Sequence, residues 1–141
     1  MGLPRSGKST VAKTMGYPIV NPDAIRLAVY GQRFWAAGEK LVWANADIMV
    51  KALFGAGHDK VVLDATNLTR WQRDQWQSKD WETIIHPIHT PPDVCKQRAI
   101  DTCQPDLVEV IDMMLEKFEP LEEDESRTFD FGLDDFNLEE K

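Results

Sequence analysis

Apolar residues along this chain follow two patterns, short β-branched runs and longer stretches in which they recur with helical spacing. The short runs predict strands, and they lie at 17–21, 60–67 and 82–89. The stretches around them predict helices, at 8–15, 23–31, 38–57, 69–79, 91–102 and 104–119. Strands that alternate with helices indicate an α/β domain, with a mostly parallel sheet flanked by helices and right-handed crossovers.

The longest predicted helix, 38–57, carries a broad apolar face that we expect to be buried. That face consists of Leu41, Val42, Ala44, Ile48, Met49, Ala52 and Leu53. The helix at 23–31 is expected to begin with Asp23 as its N-cap and to stop at Gly31.

Charge is distributed unevenly along the 141 residues, which suffice for one domain with a sizeable core. The net charge is −8, and residues 119–141 carry ten acidic residues against Arg127 and Lys141. Residues 1–118 hold 14 acidic and 14 basic residues, so the body of the chain is neutral. This neutrality argues against a broad nucleic-acid surface that binds through counterion release.

Apolar runs and cysteines indicate the compartment. The longest apolar runs are too short to cross a membrane, and we expect no secretory signal. Cys95 and Cys103 have no second pair and no histidines at zinc-ligand spacing. We therefore expect a cytoplasmic protein with two reduced, half-buried thiols.

The first residues, MGLPRSGKST, contain the phosphate-binding pattern G-x-x-x-x-G-K-S/T. Glycines let such a loop curl so that backbone N–H groups point at phosphate oxygens, and the following helix adds its positive end. Lys8 is expected to reach the β- and γ-phosphates, and the Ser9 hydroxyl to bind Mg²⁺. An ordinary glycine-rich turn is the alternative, which the Lys-Ser-Thr spacing disfavours. The residues predicted to bind ATP are Gly2, Pro4, Arg5, Ser6, Gly7, Lys8, Ser9 and Thr10.

A phosphate loop of this kind normally follows a buried strand, yet only Met1 precedes this one. We therefore expect the first strand to be missing, which would expose the edges of two neighbouring strands. Truncation, closure of the sheet around a gap, and completion by a partner chain all fit this expectation. Truncation is the simplest explanation, because the later motifs are intact.

Asp23 and Arg26 form a candidate for acceptor chemistry. Asp23 follows a predicted strand, and Arg26 lies three residues later on the same helical face. A carboxylate that takes a hydroxyl proton, beside a guanidinium that binds phosphate, suits phosphoryl transfer to an alcohol. A helix cap for Asp23 and a surface salt bridge for the pair are the plain alternatives.

Two further candidates depend on their places in predicted elements. Asp64 closes a strand, and ligands of parallel sheets bind at the carboxyl ends of strands, so we expect it to handle Mg²⁺ near the phosphate loop and Asp23. A turn in the sequence DATN is the alternative. Arg98 lies on a late helix, where kinases often carry a lid arginine, and a solvated helix face explains it as well.

Tryptophans at positions 71, 76 and 81 lie among Arg70, Arg73 and Lys79 and suggest stacking on unpaired bases. Their spacing of five residues does not follow the helical period. Core packing or an interface therefore explains them at least as well.

Four segments, in the order GLPRSGKST, NPDAIR, VVLDATN and PPDVCKQR, resemble the kinase domain of bacteriophage-type 5′-hydroxyl polynucleotide kinases. They are equally similar to the wider, AAA-like group of small P-loop kinases around that domain. The resemblance covers about residues 2–125. It implies a P-loop NTPase fold with the phosphate-loop strand in the centre of the sheet. We therefore expect a P-loop kinase-like domain at 1–125 and an acidic tail at 126–141, with a weak candidate strand at 127–131.

The resemblance also implies functional roles. It implies that Lys8 and Ser9 hold the ATP phosphates and Mg²⁺, and that Asp23 is the general base. It implies that Arg26 contacts the acceptor's adjacent phosphate and that Asp64 organises the acceptor side of the site. Arg98 would act on the phosphoryl group during transfer. The chain departs from the family pattern at Arg5, where glycine is usual, and at Thr102, where a second lid arginine is usual. We expect Arg5 to strain the turn or to add a phosphate contact, and the single lid arginine to lower turnover.

The sequence thus predicts an ATP-dependent phosphotransferase that moves the γ-phosphate to an alcohol, with a polynucleotide 5′-hydroxyl as the leading acceptor. A P-loop kinase for a small molecule or a sugar nucleotide is one alternative, which the neutral body of the chain allows. A non-catalytic ATP-binding module that regulates a partner is the other. The missing first strand and the single lid arginine favour the regulatory module, whereas the intact Asp23–Arg26 pair argues against it.

Overall fold

The predicted strands give only a small parallel sheet in the computed structural model, which describes residues 1–125. β1 (Ile19–Val20) and β2 (Val62–Leu63) pair in parallel, with Val20 beside Leu63. Both are shorter than the runs that predict them, because only two residues of each run are paired. The sheet lies among helices, so the α/β class is confirmed. The acidic tail at 126–141 and its candidate strand fall outside the described residues.

Contacts divide the described residues into two units. The first unit contains Met1–Lys8 and the described residues from Thr66 onwards, and the second contains Ser9–Ala65. Within residues 1–125, no helix is both long and apolar enough to span a bilayer.

The second unit holds the sheet and three α-helices. They are α1 (Lys8–Thr14, whose first residue belongs to the first unit), α2 (Pro22–Tyr30) and α3 (Glu39–Gly55), and a 3₁₀ turn at Ala36–Gly38 precedes α3. Asn21 is the N-cap of α2, because its side chain accepts a hydrogen bond from the Ala24 N–H at 3.1 Å. The prediction of Asp23 as the cap is therefore wrong, since Asp23 already lies inside the first turn. Gly31 ends the helix in the left-handed conformation, as predicted.

The buried face of α3 differs from the predicted one. Its buried residues, Val42, Ala46 and Val50, recur every four positions and form a narrow stripe. Most of the predicted face is exposed, namely Leu41, Ala44, Ile48, Met49 and Ala52. The periodicity was correct for a helix. Among residues 1–125, however, α3 packs on α2 and β1 through one narrow side, and these elements do not cover the broad apolar face.

The first unit is built on three further helices. They are α4 (Arg70–Asp74), α5 (Pro92–Asp101) and α6 (Leu107–Glu116). A capping box between Thr69 and Gln72 starts α4, which ends well before the predicted residue 79. Helices α5 and α6 pack together around a core of Leu3, Leu68, Cys95, Ala99 and Ile111. Both cysteines are free, but neither is half-buried as expected, because Cys95 is fully buried and Cys103 is exposed.

The start of the chain makes strand-like hydrogen bonds on both sides within the first unit. The Met1 ammonium donates to the His86 carbonyl at 2.8 Å, and the Ile88 N–H donates to the Met1 carbonyl at 2.9 Å. On the other side, the Gly2 N–H donates to the Thr66 carbonyl at 3.1 Å. The predicted strand at 82–89 is thus an extended segment that pairs with Met1, although the described residues form no regular strand there.

Candidate nucleotide and acceptor sites

The phosphate loop begins in the first unit and needs glycine at two positions. A Cβ on Gly2 would lie 2.9 Å from Ser6 Oγ, which is closer than real Cβ atoms approach, and 3.0 Å from the Ile88 carbonyl oxygen, which is tighter than most Cβ contacts. Gly7 has φ +99°, a left-handed conformation that other residues rarely adopt. The motif glycines are therefore required by the backbone that is observed, as expected of a curled loop.

Side chains of the same unit hold the loop through its carbonyl groups. Lys8 Nζ donates to the Leu3 carbonyl at 2.8 Å, and Thr90 Oγ1 donates to the Ser6 carbonyl at 2.6 Å. Thr90 is buried and comes just before α5, so α5 is joined directly to the loop. Sequence reasoning missed Thr90, because no motif or spacing pointed to it.

Arg5 adopts φ +63°, in the left-handed region where the family pattern has glycine. The strained turn that was expected at this residue is therefore observed, and the phosphate contact stays a prediction. Its side chain is exposed, and its carbonyl accepts a hydrogen bond from Arg98 Nη1 at 3.2 Å.

Arg98 therefore lies beside the phosphate loop, although it is 93 residues away from Arg5 in sequence. It is an exposed residue near the end of α5. Thr102, one turn later, is the residue at which the helix ends, and its hydroxyl donates to the Arg98 carbonyl at 2.7 Å. A second lid arginine at position 102 would therefore stand at the C-terminal end of α5.

The loop fits a phosphate ligand by two observations. The Ser6 side chain is 3% exposed, and its Oγ has no hydrogen-bond partner among the described residues. An orphaned buried hydroxyl costs free energy unless a ligand or water satisfies it. Lys8 adds an ammonium group at the start of α1, where the helix dipole also favours an anion.

A second cluster lies in the second unit and joins three elements. Ser9 Oγ, in the first turn of α1, donates to Asp64 Oδ2 at 2.6 Å, and Asn21 Nδ2 donates to the same oxygen at 3.0 Å. Asp64 directly follows β2 and Asn21 directly follows β1, so both stand at the carboxyl ends of parallel strands.

Asp64 is 7% exposed, and its carboxylate is held by the hydroxyl and the amide. A hydroxyl beside a carboxylate is an oxygen donor set that suits Mg²⁺. Ser9 and Asp64 are therefore the described residues that could hold the cation. Sequence reasoning missed Asn21. The signal that could have identified it is an amide side chain placed between the end of a predicted strand and the start of a helix.

A third cluster, also in the second unit, surrounds Arg26. Its Nε and Nη2 donate to the two oxygens of Glu39 at 2.6 and 2.7 Å, and its Nη1 donates to Asp23 Oδ1 at 2.6 Å. The Trp43 indole N–H donates to Glu39 at 3.2 Å, and the Trp43 ring centroid lies 5.8 Å from Arg26 Cζ. Asp23 remains largely exposed, with 75% of its side-chain surface accessible.

The hydrogen bond from Arg26 lowers the pKa of Glu39 below its ordinary value, against the opposing effect of burial. The hydrogen bond from Glu39 likewise raises the pKa of Arg26. Glu39 is therefore a carboxylate at neutral pH, and it is a residue that sequence reasoning missed. Spacing gave no signal, because Glu39 lies 13 residues beyond Arg26, at the start of another helix.

The tryptophan and arginine group at 70–81 is not a free basic surface. Arg73 is 2% exposed and forms an ion pair with Glu125 at 2.5 Å. Arg70 pairs with Asp74 at 2.7 Å and with Asp124 at 2.8 Å. The acidic segment at 119–125 therefore binds both guanidinium groups. Trp71 is 70% exposed, so the choice between packing and base stacking for the tryptophans stays open.

The comparisons with known proteins agree with the phosphate loop. None of the curated proteins matches this chain. The AAA domain family matches residues 1–121, which include the loop, Asp23, Asp64 and Arg98. The chain therefore belongs to the AAA domain family, a P-loop NTPase-like family that includes kinases.

Proposed function

We propose that this protein is an ATP-dependent phosphotransferase that moves the γ-phosphate of ATP to an alcohol. The observation that carries the proposal is the Ser9–Asp64 contact of 2.6 Å, which places a phosphate-loop hydroxyl on a strand-end carboxylate. That pairing is the arrangement with which P-loop enzymes hold a nucleotide-bound cation. We further propose residues 1–125 as the kinase domain and 126–141 as an acidic tail.

Lys8, with the loop from Gly2 to Ser9, would bind the phosphates of ATP. Ser9 and Asp64 would hold Mg²⁺, which neutralises phosphate charge when it is bound. Asn21 would keep the Asp64 carboxylate in place through its hydrogen bond.

Asp23 is proposed as the general base, because its exposed carboxylate is open to an acceptor hydroxyl. Arg26 binds Oδ1 of this carboxylate and so fixes its orientation. Arg98 is proposed to stabilise the phosphoryl group during transfer.

Two acceptor classes are proposed. The resemblance supports the 5′-hydroxyl of a polynucleotide. A specific observation favours a small alcohol instead: Arg26, which would contact the acceptor's phosphate, is already paired with Glu39 and Asp23. The same observation disfavours a sugar nucleotide, because its phosphate would also have to compete with Glu39 and Asp23 for Arg26.

The proposal is tested by transfer of labelled γ-phosphate from ATP and Mg²⁺ to 5′-hydroxyl oligonucleotides of DNA and RNA, nucleosides and simple sugars. Lys8→Ala is expected to abolish labelling, whereas Lys13→Ala, an exposed lysine of the same helix, is the matched control and is expected to retain it. ATP binding without labelling of any acceptor would support the non-catalytic regulatory module instead.

A further inference from the structure

We propose that the acceptor is an alcohol without phosphate beside the reacting hydroxyl, and that Glu39 enforces this selectivity by neutralising Arg26. The inference rests on the proposed function and narrows its substrate class. It concerns Asp23, Arg26, Glu39 and Trp43, which all belong to the second unit.

The geometry around Arg26 is the first argument. Three guanidinium nitrogens are bonded to carboxylates, at 2.6, 2.6 and 2.7 Å. Glu39 takes two of them in the bidentate manner with which arginine also recognises phosphate. An acceptor phosphate would therefore have to displace Glu39 before it could bind Arg26.

Charge is the second argument. One guanidinium faces two carboxylates, so the three side chains together carry a net charge of −1 at neutral pH. A phosphate next to this cluster would meet a negative field rather than a positive one, and like-charge contacts oppose binding. A neutral hydroxyl meets no such repulsion.

The pair is also held firmly. The side chains of Arg26 and Glu39 are 12% and 22% exposed, and the Trp43 indole binds the same carboxylate from the next turn of α3. Partial burial weakens solvent screening of the pair. A phosphate in solution would therefore compete poorly with Glu39.

The cluster still permits transfer to a neutral alcohol. The acceptor oxygen forms a bond to the γ-phosphorus of ATP, and the bond between that phosphorus and the bridging oxygen of ADP breaks. The hydroxyl proton passes to Asp23 and then to solvent. Arg26 bonds only Oδ1 of Asp23, so Oδ2 is available for this proton.

The first test measures phosphate binding at Arg26 and does not depend on catalysis. The Arg26 Nε–Hε resonance of the full chain is assigned by its loss in Arg26→Lys and then followed while inorganic phosphate is added. We expect no change of this resonance in the wild-type protein. The control is Asp47→Asn, which replaces an exposed carboxylate on α3, the helix that also carries Glu39, and we expect no change there either. Glu39→Gln is expected to bind phosphate at least tenfold more tightly.

Equal phosphate responses in wild-type protein and Glu39→Gln, or no response in either, would overturn the inference. Repeating the titration in Lys8→Ala, which weakens the phosphate loop and keeps Arg26, distinguishes phosphate bound at the loop from phosphate bound at Arg26. Misfolding of the variant would be detected in the same spectrum.

The second test compares two acceptors with the same 5′-hydroxyl, thymidine and thymidine 3′-phosphate. The wild-type protein is expected to prefer thymidine by about tenfold or more in kcat/KM, and Glu39→Gln to reduce or reverse that preference. Transfer that is equal for both acceptors and unchanged in Glu39→Gln would refute the acceptor class while leaving the kinase proposal intact. Absence of transfer to every acceptor would count against the kinase proposal, and the Arg26 resonance would still decide the role of Glu39.

Discussion

At the scale of single residues, Arg5 is the clearest conflict between sequence and backbone. It holds φ +63°, a conformation that costs an L-residue roughly 1–2 kcal/mol. Arg5→Gly is therefore expected to raise the free energy of unfolding, by about 0.5–1 kcal/mol after the greater chain entropy of glycine is subtracted. Urea denaturation measures this change in the free energy of unfolding. Arg5→Ala keeps the strained backbone and is the control; equal stability of the two variants would contradict the explanation.

Asp23 is the residue on which the proposed chemistry depends most. Asp23→Asn keeps the shape of the side chain but removes the proton acceptor, so phosphoryl transfer is expected to fall by about 10²- to 10⁴-fold. ATP affinity is expected to be unchanged, because the phosphate loop is intact. Single-turnover transfer and ATP titration separate the two effects, with Asp47→Asn as the control. Full transfer activity in Asp23→Asn would remove this residue from the mechanism.

At the scale of elements, Asn21 serves two purposes that can be separated. Its Oδ1 caps α2, and its Nδ2 binds Asp64. Asn21→Ala is expected to lower stability by about 1 kcal/mol through loss of the cap. Asn21→Ser is expected to recover most of that loss, because serine also caps a helix. Chemical denaturation of both variants measures this, and equal losses would show that the Asp64 contact, not the cap, stabilises the element.

The ion pair between Arg26 and Glu39 joins α2 to α3 and makes their packing depend on pH. The folded pKa of Glu39 lies below its ordinary value of about 4.3. A lowered carboxyl pKa stabilises the folded state at pH values above the ordinary pKa, and this contribution is lost as the pH falls through the folded pKa. The stability difference between wild-type protein and Glu39→Gln is therefore expected at pH 7, should begin to shrink as the pH falls below about 4.3, and should be lost once the pH is below the folded pKa of Glu39.

Thermal unfolding of both proteins between pH 7 and pH 3 gives that difference directly. A difference that stays constant over the whole range would show that Glu39 contributes through packing and not through its charge.

At the scale of the whole molecule, the buried ion pair of Arg73 and Glu125 joins the segment after α6 to α4 within the first unit. Arg73 also donates to the carbonyls of Leu68 and Glu119, both at 3.1 Å. Arg73→Ala is expected to cost about 3 kcal/mol, because it removes the guanidinium that binds both oxygens of the buried Glu125 and leaves mainly the Glu122 N–H to satisfy that carboxylate.

The double replacement Arg73→Leu and Glu125→Leu is expected to recover part of that loss, since no buried charge remains. Unfolding in guanidinium chloride distinguishes the variants. Stability in Arg73→Ala close to that of the wild-type protein would show that the pair is not important for the fold.

Periodicity predicted the class of the fold and the positions of the six α-helices within residues 1–125, because helical spacing is a local property of a sequence. The ends of elements were less well predicted: α4 stops at Asp74, and each strand pairs only two residues. The buried side of α3 could not be predicted, because it depends on how much of the helix neighbouring elements cover. The broad apolar pattern fitted several faces equally well.

The sequence by itself determined that a phosphate loop opens this chain, since Gly2, Gly7 and Lys8 have a fixed spacing whose chemistry is local. It also singled out Asp64, Asp23 and Arg98 by their places in elements. Only the tertiary structure decided which side chains meet them. Contacts between residues far apart in the chain depend on how the elements pack, and no spacing in a single sequence encodes that. Glu39 beside Arg26 is the clearest case, and it changes the chemistry that Arg26 offers to an acceptor.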